Sequence, residues 1–241
     1  MEIIESLSNN RIKELNKLKE KKYRDKLGLF FVEGADLVTE ALKNELLEEL
    51  YVLDGCDNIF DISCTYVSHD VMKKISDMES ISEYYGVCRK KEDTFIGDRI
   101  IVLDNIQDPG NLGTIIRSSV AFNFDTVVIS KNTVDLYNPK TIRSTKGMIF
   151  NQNVIVRDLV SFLSEIDGYT VYGTDVIDGV NVRNEVISSK AVFVIGNEGK
   201  GISEEVRNLC DKFIYIGMND KCESLNASVA ASIIMHEVNS K

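Results

Sequence analysis

One arginine, one glutamate and a Ser-Leu-Asn run are the residues of this chain best placed for chemistry. Each stands at a turn between an apolar run and the start of a helix. Arg117 ends DPGNLGTIIR (108–117), Glu198 lies within VFVIGNEGKGIS (192–203), and Ser224-Leu225-Asn226 closes IGMNDKCESLN (216–226). A guanidinium can grip a phosphate through two parallel hydrogen bonds, and a carboxylate can hold a hydroxyl or take its proton. Turns rich in Gly, Asn and Ser expose backbone amides and carbonyls to a small molecule at the carboxyl edge of a sheet. Three such junctions within residues 108–232 indicate an enzyme.

The flanks of each junction sharpen these readings. Asp108-Pro109-Gly110 forces a turn, after which Asn111 can cap a helix starting at Leu112, and Gly113 permits close backbone approach. Arg117 is flanked by Ile115, Ile116, Val120 and Ala121, which places it at a cleft rim with an anionic partner, Glu198 being one candidate. The loop Gly196-Asn197-Glu198-Gly199-Lys200-Gly201 has neither Walker spacing nor a Gly-x-Gly-x-x-Gly order, which disfavours a nucleotide-dependent oxidoreductase or transferase. Ser224 and Asn226 suit either a helix cap or catalysis. The ASVAAS run (227–232) suits close packing against another helix or subunit. His69 and His236 are distant from each other, and the five cysteines contain no Cys-x-x-Cys pair. A metal centre and a disulfide framework are therefore not expected, and a reducing cytoplasm is.

The elements that must position these residues form two halves. Residues 100–238 alternate strand candidates (100–105, 126–130, 169–174, 191–196, 212–217) with helix candidates (112–123, 139–146, 158–165, 202–210, 224–238). Strands of near-continuous β-branched residues separated by helices predict an α/β fold with a parallel sheet covered on both faces. Residues 29–87 predict a smaller α/β domain, with apolar runs LFFVEG, ELYVLDG and CTYVS and helices over ADLVTEALKNELLEEL and DVMKKISDM. RKKEDTFIGD (89–98) reads as the linker, giving domains 1–95 and 96–241.

Net charge is −10, yet residues 11–26 hold eight basic side chains against three acidic ones. Ser8 or Asn9 can cap a helix there, with Ile12, Leu15, Leu18 and Leu27 as its apolar stripe. The segment is either a solvated helix face or a phosphate-binding patch, for which Arg11, Lys13, Lys17, Lys21, Lys22 and Arg24 are the candidates. No apolar run approaches the roughly 18 residues of a membrane span, and MEIIESLSNN lacks the layout of a signal peptide. A soluble cytoplasmic protein without a membrane partner is expected.

Three ordered segments carry a family resemblance. Asn111 to Arg117, Ile195-Gly196-Asn197-Glu198-Gly199, and Glu223 to Asn226 running into Val229-Ala230 resemble motifs 1, 2 and 3 of the SpoU (TrmH) RNA 2′-O-methyltransferases of the SPOUT superfamily. DLYNPKTIRSTKG (135–147) resembles the family's intervening segment, so the likeness covers about residues 100–238. More loosely, residues 6–34 resemble the N-terminal substrate-binding domain of such enzymes, which has a fold like ribosomal protein L30e.

The resemblance implies a SPOUT fold with a deep C-terminal trefoil knot, an exception to the rule that chains do not thread loops. It implies a homodimer and S-adenosylmethionine as methyl donor, contacted by Gly196, Ile216 and Leu225 largely through backbone groups, with Thr174 and Gly199 beside them. It makes Arg117 the key catalytic residue, supported by Asn111, Glu198, Ser224 and Asn226, and adds Arg143 to the RNA-binding set. The implied reaction is methylation of an RNA ribose 2′-hydroxyl, most naturally in 23S ribosomal RNA. Transfer RNA, or a catalytically weak RNA-binding relative, is the alternative. Motif 3 departs from the family's Ile-Pro-Met-x-Gly: Gly217 and Asp220 stand where Pro and Gly are usual, which points to weaker cofactor binding. For the hydroxyl proton two routes are open. Arg117 acts as a base in a strongly perturbed environment, or it clamps the phosphate while the proton leaves late to water or to Glu198.

Overall fold

The computed structural model describes residues 3–92, 94–176 and 178–240. In chain order its elements begin β1 (Ile3–Ile4), α1 (Asn10–Lys17), α2 (Lys21–Leu27), β2 (Leu29–Glu33), α3 (Ala35–Lys43), β3 (Leu47–Leu53), β4 (Thr65–Val67), α4 (His69–Ile75) and β5 (Tyr84–Arg89). They continue with β6 (Arg99–Leu103), α5 (Pro109–Ala121), β7 (Thr126–Ser130), α6 (Pro139–Thr145), a 3-10 turn at Met148–Phe150, β8 (Asn153–Arg157) and α7 (Leu159–Glu165). The last elements are β9 (Thr170–Thr174), β10 (Val180–Asn181), β11 (Ala191–Ile195), α8 (Glu204–Arg207), β12 (Lys212–Tyr215) and α9 (Ala227–Asn239).

These elements form two compact units. One joins Met1–Glu92 with Asp135–Phe150, and the other joins Asp93–Val134 with Asn151–Lys241. Asp135–Phe150, which the sequence reading placed in the later half, therefore packs with the earlier one: Phe30 stacks on Phe150 and lies against Tyr137.

The first unit holds a five-stranded mixed sheet ordered β1-β4-β3-β5-β2. Its core is built from Ile12, Leu15 and Leu18, the α4 residues Val71, Met72 and Ile75, and the strand residues Phe31, Tyr85 and Val87. Asn9 caps α1 by accepting from the Arg11 amide at 2.8 Å. The basic stretch is not one helix; it breaks after Lys17 and restarts at Lys21. Leu27, expected in the apolar stripe, is 48% exposed. The helix expected over 35–50 also stops early. Asn44 caps α3, Glu45 takes a left-handed φ of 56°, and LEELYVL becomes β3. Here the tertiary sheet overrides the helix propensity of Leu and Glu. β1 and β5 carried no strand expectation either.

The second unit is the expected parallel α/β sheet, seven strands ordered β10-β12-β9-β11-β6-β7-β8. The central strands β6, β7 and β11 are buried almost throughout, as a sheet covered on both faces requires. β8 and β10 escaped the sequence reading. They are the edge strands, half-exposed, and so lack the continuous apolar run that marks the interior. Helix α5 begins earlier than expected. Asp108, not Asn111, is its cap: the carboxylate accepts from the Asn111 amide at 2.9 Å, and Pro109 occupies the first turn. Among the described residues no helix is long and apolar enough to cross a membrane.

Candidate functional site

The three sequence junctions converge at the carboxyl edge of the second unit's sheet. Outside the ends of β9, β11 and β12 lies a cleft of about 380 Å³, lined by Thr174, Gly196, Glu198, Gly199, Ile216, Ser224 and Leu225. Ile195, Ile214, Ala230 and Ile234 give it apolar walls, while Asp175, Lys200 and Arg207 add charge. All five residues named for the cofactor line this one cleft. Of the catalytic candidates, Glu198 and Ser224 line it, whereas Asn111, Arg117 and Asn226 do not.

The glycine loop is fixed by its own backbone. Asn197 and Gly201 exchange amide-to-carbonyl hydrogen bonds of 2.9 Å, and the Asn197 side chain accepts from the Gly199 amide at 3.0 Å. A Cβ on Gly196 would stand 2.2 Å from the Gly201 carbonyl carbon, so only glycine closes this turn. Two residues absent from the sequence-based set anchor the loop. The buried Asp104 carboxylate accepts from the Ser203 amide at 2.7 Å, and Asn197 Nδ2 donates to the Asn105 carbonyl at 2.8 Å. The signal was present as Asp-Asn at the end of a buried strand, but Asp-Asn is also ordinary turn chemistry.

Glu198 is not the partner of Arg117. Its carboxylate accepts from Asn111 Nδ2 at 2.9 Å and from Asn197 Nδ2 at 3.4 Å. Arg117 is exposed on α5 and makes no hydrogen bond or ion pair with any described residue. Its guanidinium is thus available to an anion outside the unit. Asn226 is the cap of α9, accepting from the amides of Ser228 at 2.9 Å and Val229 at 3.3 Å. Helix α9 packs on α5, where the hydroxyls of Ser118 and Ser232 meet at 2.8 Å and Phe122 meets His236 edge to face. The Ala/Ser run permits that approach within one chain.

The unusual Gly217 has a local counterpart. A Cβ there would lie 2.7 Å from Asn181 Nδ2, so the tip of the Asn181 side chain on β10 occupies the space a larger residue would enter first. Opposite, Arg207 stacks on Phe213 and pairs with Asp175 and Asp178.

The basic candidates lie in the first unit and differ in availability. Lys13, Lys17, Lys21 and Lys22 are exposed. Lys21 pairs with Asp25, Lys22 with Glu20, and Arg11 with Glu14 and Glu49, so the patch is partly neutralised by exposed pairs of little strength. Arg24 leaves the surface set. At 3% exposure it donates to the carbonyls of Leu18 and Lys19 and pairs with Asp135, holding the break between α1 and α2. Arg143 pairs with Asp77 at 3.2 Å. Among the described residues no cluster of His, Cys, Asp or Glu could hold a metal ion.

Comparison with known proteins places this geometry. The SpoU rRNA Methylase family model matches residues 98–236, and an MRM3-like substrate binding domain matches residues 9–83. The chain is 35% identical over 246 residues, 99% of both chains, to the 23S rRNA (guanosine(2553)-2′-O)-methyltransferase RlmP of Bacillus subtilis (strain 168). The crystal structure of an RNA 2′-O ribose methyltransferase superposes with a TM-score of 0.84 at 27% identity, covering 98% of this chain and 97% of that one. The AdoMet-bound rRNA methyltransferase from Sinorhizobium meliloti shares the fold, with a TM-score of 0.87 at 24% identity over 99% of this chain and 97% of that one.

Proposed function

Because the chain belongs to the SpoU rRNA methylase family, we propose that it is an S-adenosylmethionine-dependent RNA 2′-O-methyltransferase acting on a ribose of 23S ribosomal RNA. The observation that carries the reading is the meeting of Gly196, Ile216 and Leu225 in one cleft, with Glu198 on its wall bonded to Asn111 of motif 1.

The cleft fits the cofactor. Its volume of about 380 Å³ falls within the ~300–1,000 Å³ of small-molecule sites, and apolar walls beside an exposed loop backbone suit a flat heterocycle carried on a polar tail. Gly196, Ile216 and Leu225 would hold it through main-chain groups, with Thr174 and Gly199 alongside. When bound, it supplies a sulfonium methyl for displacement at carbon.

The protein's own contribution is position. Arg117, which has no partner among the described residues, clamps the phosphate next to the target ribose, so that the 2′-hydroxyl is held in line. Glu198, oriented by Asn111, receives the hydroxyl proton late or passes it to water. Ser224 lines the cleft beside Leu225, and Asn226 fixes the start of α9 next to it. Arginine as a base would require the guanidinium to be buried among cations, and the exposure of Arg117 in this chain speaks against that route.

The same reading assigns residues 1–95 to RNA capture through an L30e-like fold and Lys13, Lys17, Lys21 and Lys22. It assigns residues 96–241 to the chemistry, through a knotted SPOUT fold acting as a cytoplasmic homodimer. The decisive experiment is transfer of a tritiated methyl group to unmodified 23S ribosomal RNA, with the modified nucleotide mapped. Incorporation at one 2′-oxygen is expected. Absence of incorporation, alongside tight S-adenosylhomocysteine binding, would mark a non-catalytic relative.

A further inference from the structure

Part of the cofactor cleft is walled by an ion-pair fork. Thr174, Asp175 and Val176, at the end of β9, line the cleft, and so does Arg207, the last residue of α8. The guanidinium donates through Nη1 to Asp175 and through Nη2 to Asp178 at 3.1 Å, and it lies 4.3 Å from the centre of the Phe213 ring. The second Asp175 oxygen accepts from the Val176 amide at 2.7 Å. One planar fork thus gathers two carboxylates of a single turn.

The turn returns along the sheet edge. The Asp175 amide donates to the Ile214 carbonyl at 3.1 Å, and Val180 and Asn181 pair with β12 as the two-residue strand β10. Gly179 has a φ of 105°, and a Cβ there would stand 2.1 Å from the Phe213 carbonyl oxygen, so the turn closes directly on β12. Val176 and Val180 stay exposed, so apolar burial contributes little to holding it. Helix α8 joins this turn to the glycine loop. Asp104 fixes the start of α8 through the Ser203 amide, directly after the cleft-lining residues Gly196 to Ile202, and Arg207 ties its end to Asp175 and Asp178. Asn181, which ends β10, meets Gly217 of motif 3, so the held turn also backs the loop where this chain lacks the usual proline.

Resting on the functional reading above, we infer that Arg207 is a positioning residue for S-adenosylmethionine: its fork on Asp175 and Asp178 holds the turn after β9 in place as a wall of the cleft. The side chain of Arg207 is 37% exposed and that of Asp178 70%, so these pairs add little to global stability. Their effect falls on binding. A wall that is already ordered spares the cofactor the cost of ordering it.

The test is calorimetric binding of S-adenosylhomocysteine to the full chain and to Arg207→Gln, Asp178→Asn and the double variant, with hydrogen exchange of the ligand-free proteins. Arg207→Gln should weaken binding roughly three- to tenfold, and Asp178→Asn, which spares the Asp175 pair, should weaken it less. The double variant should match Arg207→Gln, because the second change removes a partner already lost. Without ligand, the Asp175 and Val182 amides of Arg207→Gln should exchange several-fold faster while the melting temperature stays unchanged. S-adenosylhomocysteine carries no net charge at neutral pH. Raising salt from about 0.05 to 0.5 M should therefore weaken wild-type binding through these pairs and leave Arg207→Gln nearly flat. Wild-type affinity in Arg207→Gln would overturn the inference, as would additive losses in the double variant or a fall in melting temperature that accounts for the weaker binding. A wild-type chain that does not bind S-adenosylhomocysteine would refute the functional reading and this inference together.

Discussion

Asn111 Nδ2 donates to Glu198 across 2.9 Å, joining two residues 87 positions apart in the chain. That bond ties the first turn of α5 to the glycine loop, and removing either partner frees the other. A double-mutant cycle of Asn111→Ala and Glu198→Gln, read in kcat/KM, should show coupling of about 0.5–3 kcal/mol. Strict additivity would mean that the contact has no part in turnover.

Arg117→Lys retains a positive charge but loses the planar fork. Turnover should fall on the order of 10²-fold through misplacement of the ribose, while calorimetry with S-adenosylhomocysteine gives nearly unchanged affinity. Loss of both together would remove Arg117 from the RNA side of the reaction.

Asn226 caps α9, and substitution can separate that role from a part in catalysis. Asn226→Ala leaves the first amides of α9 without an acceptor and should cost about 1 kcal/mol in urea unfolding. Asn226→Ser restores a good cap, so stability should return. If the amide also works in catalysis, turnover of the serine variant stays low.

Two glycines of the site should respond differently to alanine. At Gly196 the obstruction is backbone, the Gly201 carbonyl carbon at 2.2 Å, and Gly196→Ala should cost roughly 1–3 kcal/mol and abolish cofactor-product binding. At Gly217 the obstruction is the tip of the Asn181 side chain, which can swing aside. Gly217→Ala should therefore fold normally, and Asn181→Ala in the same chain should erase any remaining difference. Differential scanning calorimetry distinguishes the two.

Burial of Glu33 pushes its carboxyl above the usual range, against the opposing hydrogen bonds from the Ser76 hydroxyl and the Asp77 amide. An acid raised in the folded state contributes stability that is complete below its unfolded pKa and fades as pH rises through the folded one. The urea midpoint of the wild type should thus decline relative to Glu33→Gln as pH climbs from about 4 into the weakly acidic range. Parallel curves would show that Glu33 titrates as if solvated.

The sequence was most legible where one rule acted alone. β7 emerged at its observed limits because Thr126 to Ile129 are continuously β-branched, whereas Gly196, Ile216 and Leu225, which line one cleft, were named through the family resemblance. Arg24 misled because a basic run shows charge and not direction: its neighbours are exposed while it turns inward to Asp135, more than a hundred residues away. The Arg117–Glu198 pairing failed for a related reason. Two complementary charges in adjoining motifs suggest an ion pair, yet an amide from the first turn of α5 reached the carboxylate instead. Asp104 went unread because its importance lies in an amide donor 99 positions away.

The membership of Asp135–Phe150 in the first unit limits how that module can be inherited. Phe30 needs Tyr137 and Phe150 beside it, and Arg24 needs Asp135. A recombination event that exchanged only the leading ninety-odd residues would strand an aromatic face and an arginine, so this unit cannot be swapped at a single crossover. The recipient must accept two insertions at once, or already possess a matching helical segment of its own.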